Sequence, residues 1–140
     1  MICFAFDKLS GRPPREPADV ARRRELFARV LRPMRLRARE LGYALGVHGS
    51  AERDLDVIAA PWVEGAVSAP DLALALCEVV GHELGFEPPT GWRLAGAPPR
   101  PHGRDGCSIP LVRAEEMTVG EDGYTDSPYI DLSILPRGAG

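Results

Sequence analysis

The sequence predicts an α+β fold, a small mixed or antiparallel sheet with helices packed on it. Three observations carry this expectation. Residues 18–31 and 68–85 place apolar side chains at helical spacing between recognisable ends. Residues 43–47 and 55–60 read as strands whose link is too short for a crossover helix, so they should pair antiparallel. Few strands and long loops elsewhere argue against a doubly wound parallel sheet. A chain of 140 residues with 44% hydrophobic content is long enough for one domain with its own core, so residues 1–140 are expected to form one unit.

Taken in order, residues 1–7 alternate loosely and could form a short strand, and residues 10–17 are a Gly/Pro/Arg linker, so residues 1–17 are expected to be partly irregular. The helix of residues 18–31 draws on Val20, Leu26, Phe27, Val30 and Leu31. Pro33 should stop or kink it, because proline has no N–H and its ring crowds the preceding turn. A second helix is expected from Pro33, with Met34, Ala38 and Leu41 inward and Gly42 as its stop. After the two strands, "YALGV" and "LDVIAA", the next helix has Ser68 as N-cap, Pro70 and Asp71 in its first turn, and Leu72, Leu76, Val79 and Val80 along one side. Residues 87–106 form a proline-rich irregular segment. Residues 107–113 read as a strand, residues 115–126 as an acidic loop, and residues 129–135, "YIDLSIL", as a last alternating strand closed by Pro136. Trp62 and Trp92 are expected to pack beside the sheet edge. There is no internal repeat and no heptad pattern.

The net charge of −3 is unevenly spread: residues 1–40 carry eleven Lys/Arg against five Asp/Glu, and the remaining hundred carry six against fifteen. The basic end could face phosphates. No aromatic residues interleave with its arginines to stack on bases. The arginines are therefore expected to solubilise a helix and pair with the acidic remainder, and nucleic acid ranks low among partners. No apolar run approaches the roughly 20 residues of a membrane helix, so no membrane partner is expected. No basic-then-apolar leader is evident. Cys3, Cys77 and Cys107 are far apart and form no CxxC. They read as free, mostly buried thiols, which points to the cytoplasm.

The chemistry concentrates in "VHGSAERDLDVIAAPW", residues 47–62. Asp54 and Asp56 are two apart, so in a strand both carboxylates lie on one face while Leu55 and Val57 point into the core. Two carboxylates on one face repel unless a cation joins them, and hard divalent cations such as Mg²⁺ prefer carboxylate oxygens. Asp131, centred in the apolar strand "PYIDLSILP", is the candidate third ligand, since a charge there is costly unless it reaches a partner or a site. Gly49-Ser50 follows a strand directly, where glycine lets a phosphate approach the backbone and the hydroxyl can bind anionic oxygens. Other signals fail. "GHELG" lacks the second histidine of a zinc-protease helix, no GxxxxGK loop is present, "EDGYTD" lacks Ca²⁺-loop spacing, and "GVHGSAE" lacks the Gly-x-Ser-x-Gly elbow.

The succession of a strand, Gly49-Ser50, the Asp54-x-Asp56 strand and a further aspartate, Asp131, on a later strand resembles the core signature of the nucleotidyltransferase superfamily fold. It is also similar to a group of small phage-encoded proteins with the same compact block, a Pro101-His102-Gly103-Arg104 element and a terminal "PYIDLS" strand. The resemblance spans roughly residues 41–137. It implies a nucleoside triphosphate as partner and Mg²⁺ as cofactor in the cytoplasm of a bacterial host. Asp54 and Asp56 would hold the metal ions, and Asp131 would bind one of them and activate an acceptor hydroxyl. Gly49, Ser50, Arg53 and Arg104 would bind the nucleotide's phosphates, with His48 and His102 nearby. Only Ala51-Glu52-Arg53 separates Ser50 from Asp54, where active members carry a longer stretch. The alternative is therefore a catalytically inactive module on the same scaffold that contacts a host protein or nucleic acid.

Overall fold

A computed structural model of the chain describes residues 15–89, 103–120 and 126–137. The expected strand of residues 1–7, Cys3, Trp92, Pro101 and His102 lie outside the described residues. Helix α1 (Pro17–Glu40) runs without a break through Pro33, where the sequence predicts a stop or kink and a second helix. The reason is packing. Phe27, Val30, Met34 and Ala38 form one buried stripe that passes on both sides of the proline, each 2% exposed or less. Burying such side chains contributes roughly 1.5–3 kcal/mol each, which outweighs the ~3 kcal/mol penalty of an interior proline. The helix ends where predicted. Gly42 has φ +95°, and a Cβ there would lie 2.7 Å from the Ala66 Cα, so both the backbone angle and the close approach require glycine.

Strand β1 (Tyr43–His48) turns back into β2 (Leu55–Pro61), and the two pair antiparallel as the short link demands. Helix α2 (Ala69–Leu84) follows, with the Ser68 hydroxyl accepting from the Asp71 N–H at 3.3 Å and Gly85 closing it in the left-handed conformation. Then come β3 (Asp105–Pro110), a 3₁₀ turn at Ala114–Glu116 and β4 (Tyr129–Ile134). The sheet order is β1-β2-β4-β3, with β2 and β4 parallel and the other neighbours antiparallel. The fold is α+β with a mixed sheet.

Period-two alternation sorts the strands into two faces. Leu55, Val57 and Ala59 of β2, Ile130, Leu132 and Ile134 of β4, and Cys107 and Ile109 of β3 point to the helices. There they join Val30 and Met34 of α1 and Leu72, Leu76 and Val80 of α2 in a single core. Cys77 and Cys107 are free thiols, the first half-buried and the second buried. Trp62 departs from expectation: it lies just past the end of β2 and is 68% exposed rather than packed at the sheet edge. No helix among the described residues is long and apolar enough to cross a membrane.

The basic N-terminal region splits in two. Arg15 reaches Asp126 and Asp19, and Arg29 lies 3.8 Å from Glu83, so arginines of the basic end do pair with acids of the remainder. Of the three consecutive arginines, Arg22 is exposed beside Asp19, whereas Arg23 is only 7% exposed. The run 22–24 is therefore not one uniform solvent-facing surface.

Candidate metal centre

On the face away from the helices, one rank of side chains crosses all four strands. His48 of β1 stands opposite Asp56 of β2, Asp56 stands beside Asp131 of β4, and Asp131 stands opposite Ser108 of β3. Directly paired residues share a face. The parallel pairing of β2 with β4 therefore aligns Asp56 with Asp131, and Asp54, the residue just before β2, brings its carboxylate to the same place. The three aspartates each offer a carboxylate oxygen, and these atoms all lie within 4.8 Å of one another, each side chain half-buried.

The link between β1 and β2 is shaped around this cluster. Gly49 has φ +79°, and a Cβ on it would stand 2.7 Å from Oδ2 of Asp56. Glycine at this position thus makes room for a carboxylate of the site. Ala51 is also left-handed, with φ 56°, and the Ser50 Oγ accepts from the Glu52 N–H at 3.4 Å. Helix α1 holds the turn from outside: Nη2 of Arg24 donates to the Ser50 carbonyl and Nη1 of Arg23 to the Arg53 carbonyl, both at 2.8 Å.

Electrostatics follow from the crowding. Burial, then the neighbouring charges of Asp54 and Asp131, push the Asp56 carboxyl up to about 6; His48 acts the other way, and a hydrogen bond with Asp131 adds to the rise. The cluster therefore holds three closely spaced carboxyl groups, and each proton lost from it adds negative charge to a crowded space. All three donors are carboxylate oxygens, the ligand type that hard divalent cations select.

The other residues singled out by sequence are placed as follows. Gly49 and Ser50 form the turn beside Asp56. Arg53 directly precedes Asp54, with its carbonyl bound by Arg23. Arg104 lies just before β3, four residues from Ser108, which puts its backbone about 13 Å along the strand from the rank. Sequence reasoning does not single out two residues with a place at or beside the site: Ser108, which meets Asp131 only through the β3–β4 register, and Arg23, which reads as one more surface arginine. The Asp19/Arg23 helical spacing was the one available hint for the latter. A separate groove along the C-terminal half of α2, lined by Cys77, Glu78, His82 and Phe86 among others, touches the rank only through Ser108 and includes none of the three aspartates.

Comparison with protein-family models, with curated proteins and with solved structures gives no match.

Proposed function

We propose that this chain is a nucleotidyltransferase-like protein of phage or prophage type that uses Mg²⁺ to transfer a nucleotide to an acceptor. The observation that carries this reading is the gathering of Asp54, Asp56 and Asp131 within 4.8 Å, directly after a Gly-Ser turn. Asp54 and Asp56 would hold the metal, and Asp131 would both ligate it and accept the proton of an acceptor hydroxyl. Bound there, Mg²⁺ would supply charge neutralisation at the entering and leaving oxygens. Gly49 and Ser50 would present the turn to the phosphates, and Arg53 and Arg104 would supply guanidinium groups that can fork onto phosphate oxygens. The half-buried setting of the aspartates supports the reading, since repelling carboxylates in a partly desolvated rank disfavour the fold unless a cation is bound.

The test is a thermal-shift titration with nucleoside triphosphate, with and without Mg²⁺. A ligand bound only by the native state raises its stability. Wild type should gain several degrees with both present, and Asp56→Asn, which removes a charge at nearly constant volume, should lose the gain. An equal response in the two proteins would sink the reading. The three-residue link, tied to α1 through Ser50 and Arg53, favours a second reading in which the scaffold no longer turns over nucleotide and instead contacts a host protein. A metal-dependent shift without turnover against any acceptor hydroxyl would move the balance to it.

A further inference from the structure

We infer that Arg23 is a positioning residue that sets the spacing of the three aspartates. The inference rests on the metal-centre reading above. Arg23 is 7% exposed, in the second turn of α1, and its guanidinium makes three contacts with three different segments. Nε meets Oδ2 of Asp19 at 3.2 Å, on its own helix. Nη1 donates to the carbonyl of Arg53 at 2.8 Å, the residue immediately before Asp54. Nη2 donates to the carbonyl of Asp126, on the segment that leads into β4 and Asp131. One planar group therefore joins the start of the strand bearing Asp54 and Asp56 to the approach of the strand bearing Asp131.

The segment it grips is held from its other side as well. Ser127 is buried, and its hydroxyl accepts from the Thr118 N–H at 2.9 Å. The Leu111 N–H donates to the Pro128 carbonyl at 3.0 Å. Arg15, bound to both Asp19 and Asp126, lies beside Arg23 and keeps the acid partners in place. Burial, followed by the Arg15 charge, lowers Arg23 below the ordinary arginine value, and Asp19 opposes that shift. A lysine at position 23 would keep a charge, but its single nitrogen cannot span two carbonyls and a carboxylate in the fixed geometry of a guanidinium fork. Ionised carboxylates repel, and the hydrogen bond between Asp56 and Asp131 weakens once its proton leaves, so their spacing then depends on the surrounding structure. A clamp behind them lowers the ordering cost of binding, as groups supporting metal ligands commonly do.

The experiment measures Mn²⁺ affinity by electron paramagnetic resonance on the full chain. It compares wild type, Arg23→Ala, Arg23→Lys and Val80→Ala. Val80 is a fully buried core residue of α2, so its truncation serves as a destabilised control. All are measured where circular dichroism shows them folded. Arg23→Ala and Arg23→Lys should each weaken Mn²⁺ binding about tenfold or more, the range seen when groups that support metal ligands are removed. Val80→Ala should stay within about twofold of wild type, since Val80 belongs to the core on the helix side of the sheet and makes none of the contacts that tie Arg23 to residues 53 and 126. Should Arg23→Ala fail to fold, Arg23→Lys carries the test. Wild-type affinity in the Arg23 variants would overturn the inference, as would an equal loss in Val80→Ala, which would make the effect one of general stability. A wild-type chain that binds no Mn²⁺ would instead overturn the metal-centre reading and take this inference with it.

Discussion

The two faces of the sheet are built from the same strands and obey opposite rules. On the helix side, Leu55, Val57, Ile130 and Leu132 are buried at 3% exposure or less, and no charged residue interrupts them. On the other side, one residue along each strand, His48, Asp56, Asp131 and Ser108 form a polar rank. The first face accounts for stability, because apolar burial is favourable wherever it occurs. The second face works against stability in the absence of a cation, because three carboxylates share a space of under 5 Å. A fold that retains such an arrangement on its central strands has a core able to carry it.

Neighbouring substitutions in β4 would break that contrast most sharply. Leu132→Ala should cost about 2–5 kcal/mol, the range for deleting a fully buried leucine side chain. Asp131→Asn, one residue away, should change the stability of the metal-free protein by no more than about 1 kcal/mol, and in the stabilising direction, since it removes a like charge. Urea unfolding of the two variants at neutral pH decides the matter. Comparable losses would mean the rank is as structural as the core.

Gly49→Ala probes the junction between turn and site. A residue with a side chain in the left-handed region costs on the order of 1–3 kcal/mol. Here the new methyl would also press on the Asp56 carboxylate, 2.7 Å away. The expected result is a lower unfolding midpoint together with weaker metal binding. A midpoint shift with unchanged metal affinity would show that the glycine serves the turn alone.

Asp56→Asn should have a smaller effect of the opposite sign. Removing the central carboxylate should raise metal-free stability at pH 7.5 by up to about 1 kcal/mol, the scale of cross-strand charge pairs, and remove the stabilisation that Mg²⁺ gives wild type. The pH dependence sharpens this further. Because the folded-state value of Asp56 is raised from 3.8 to about 6, its contribution to stability is fully present below the ordinary carboxylate value and is lost as pH rises through about 6. Metal-free wild type should therefore lose stability between about pH 4 and 6 relative to Asp56→Asn. Stabilisation by Mg²⁺ should grow over the same window, since the metal displaces the shared proton. Parallel pH profiles in the two proteins would contradict this account of the rank.

Legibility in the sequence followed the range of the interaction. Strands β1, β2 and β4 and helix α2 were readable, because alternation, the Ser68 cap and the Gly85 stop are local signals. The three aspartates were readable as a group because Asp-x-Asp places two on one face and Asp131 sits in an otherwise apolar strand. Pro33 predicts a break that helix α1 does not make, because local propensity cannot see Val30 and Met34 locked into the core on either side of it. The roles of Ser108 and Arg23 are not local either: one depends on the β3–β4 register, the other on contacts to residues 30 and 103 positions away. Trp62 reads as a packing residue, yet the strand ends before it and leaves it in solvent.

The most direct measurement of the central claim is anomalous diffraction at the manganese edge from crystals soaked in Mn²⁺. The account predicts a peak on the open face of the sheet, within about 2.2 Å of carboxylate oxygens from Asp54, Asp56 and Asp131, the coordination distance of a small hard cation. Crystals of Asp56→Asn under the same conditions should lack it. A difference map with no peak between the three aspartates at millimolar Mn²⁺, or a peak unchanged in the variant, would contradict the claim that this rank is a metal site.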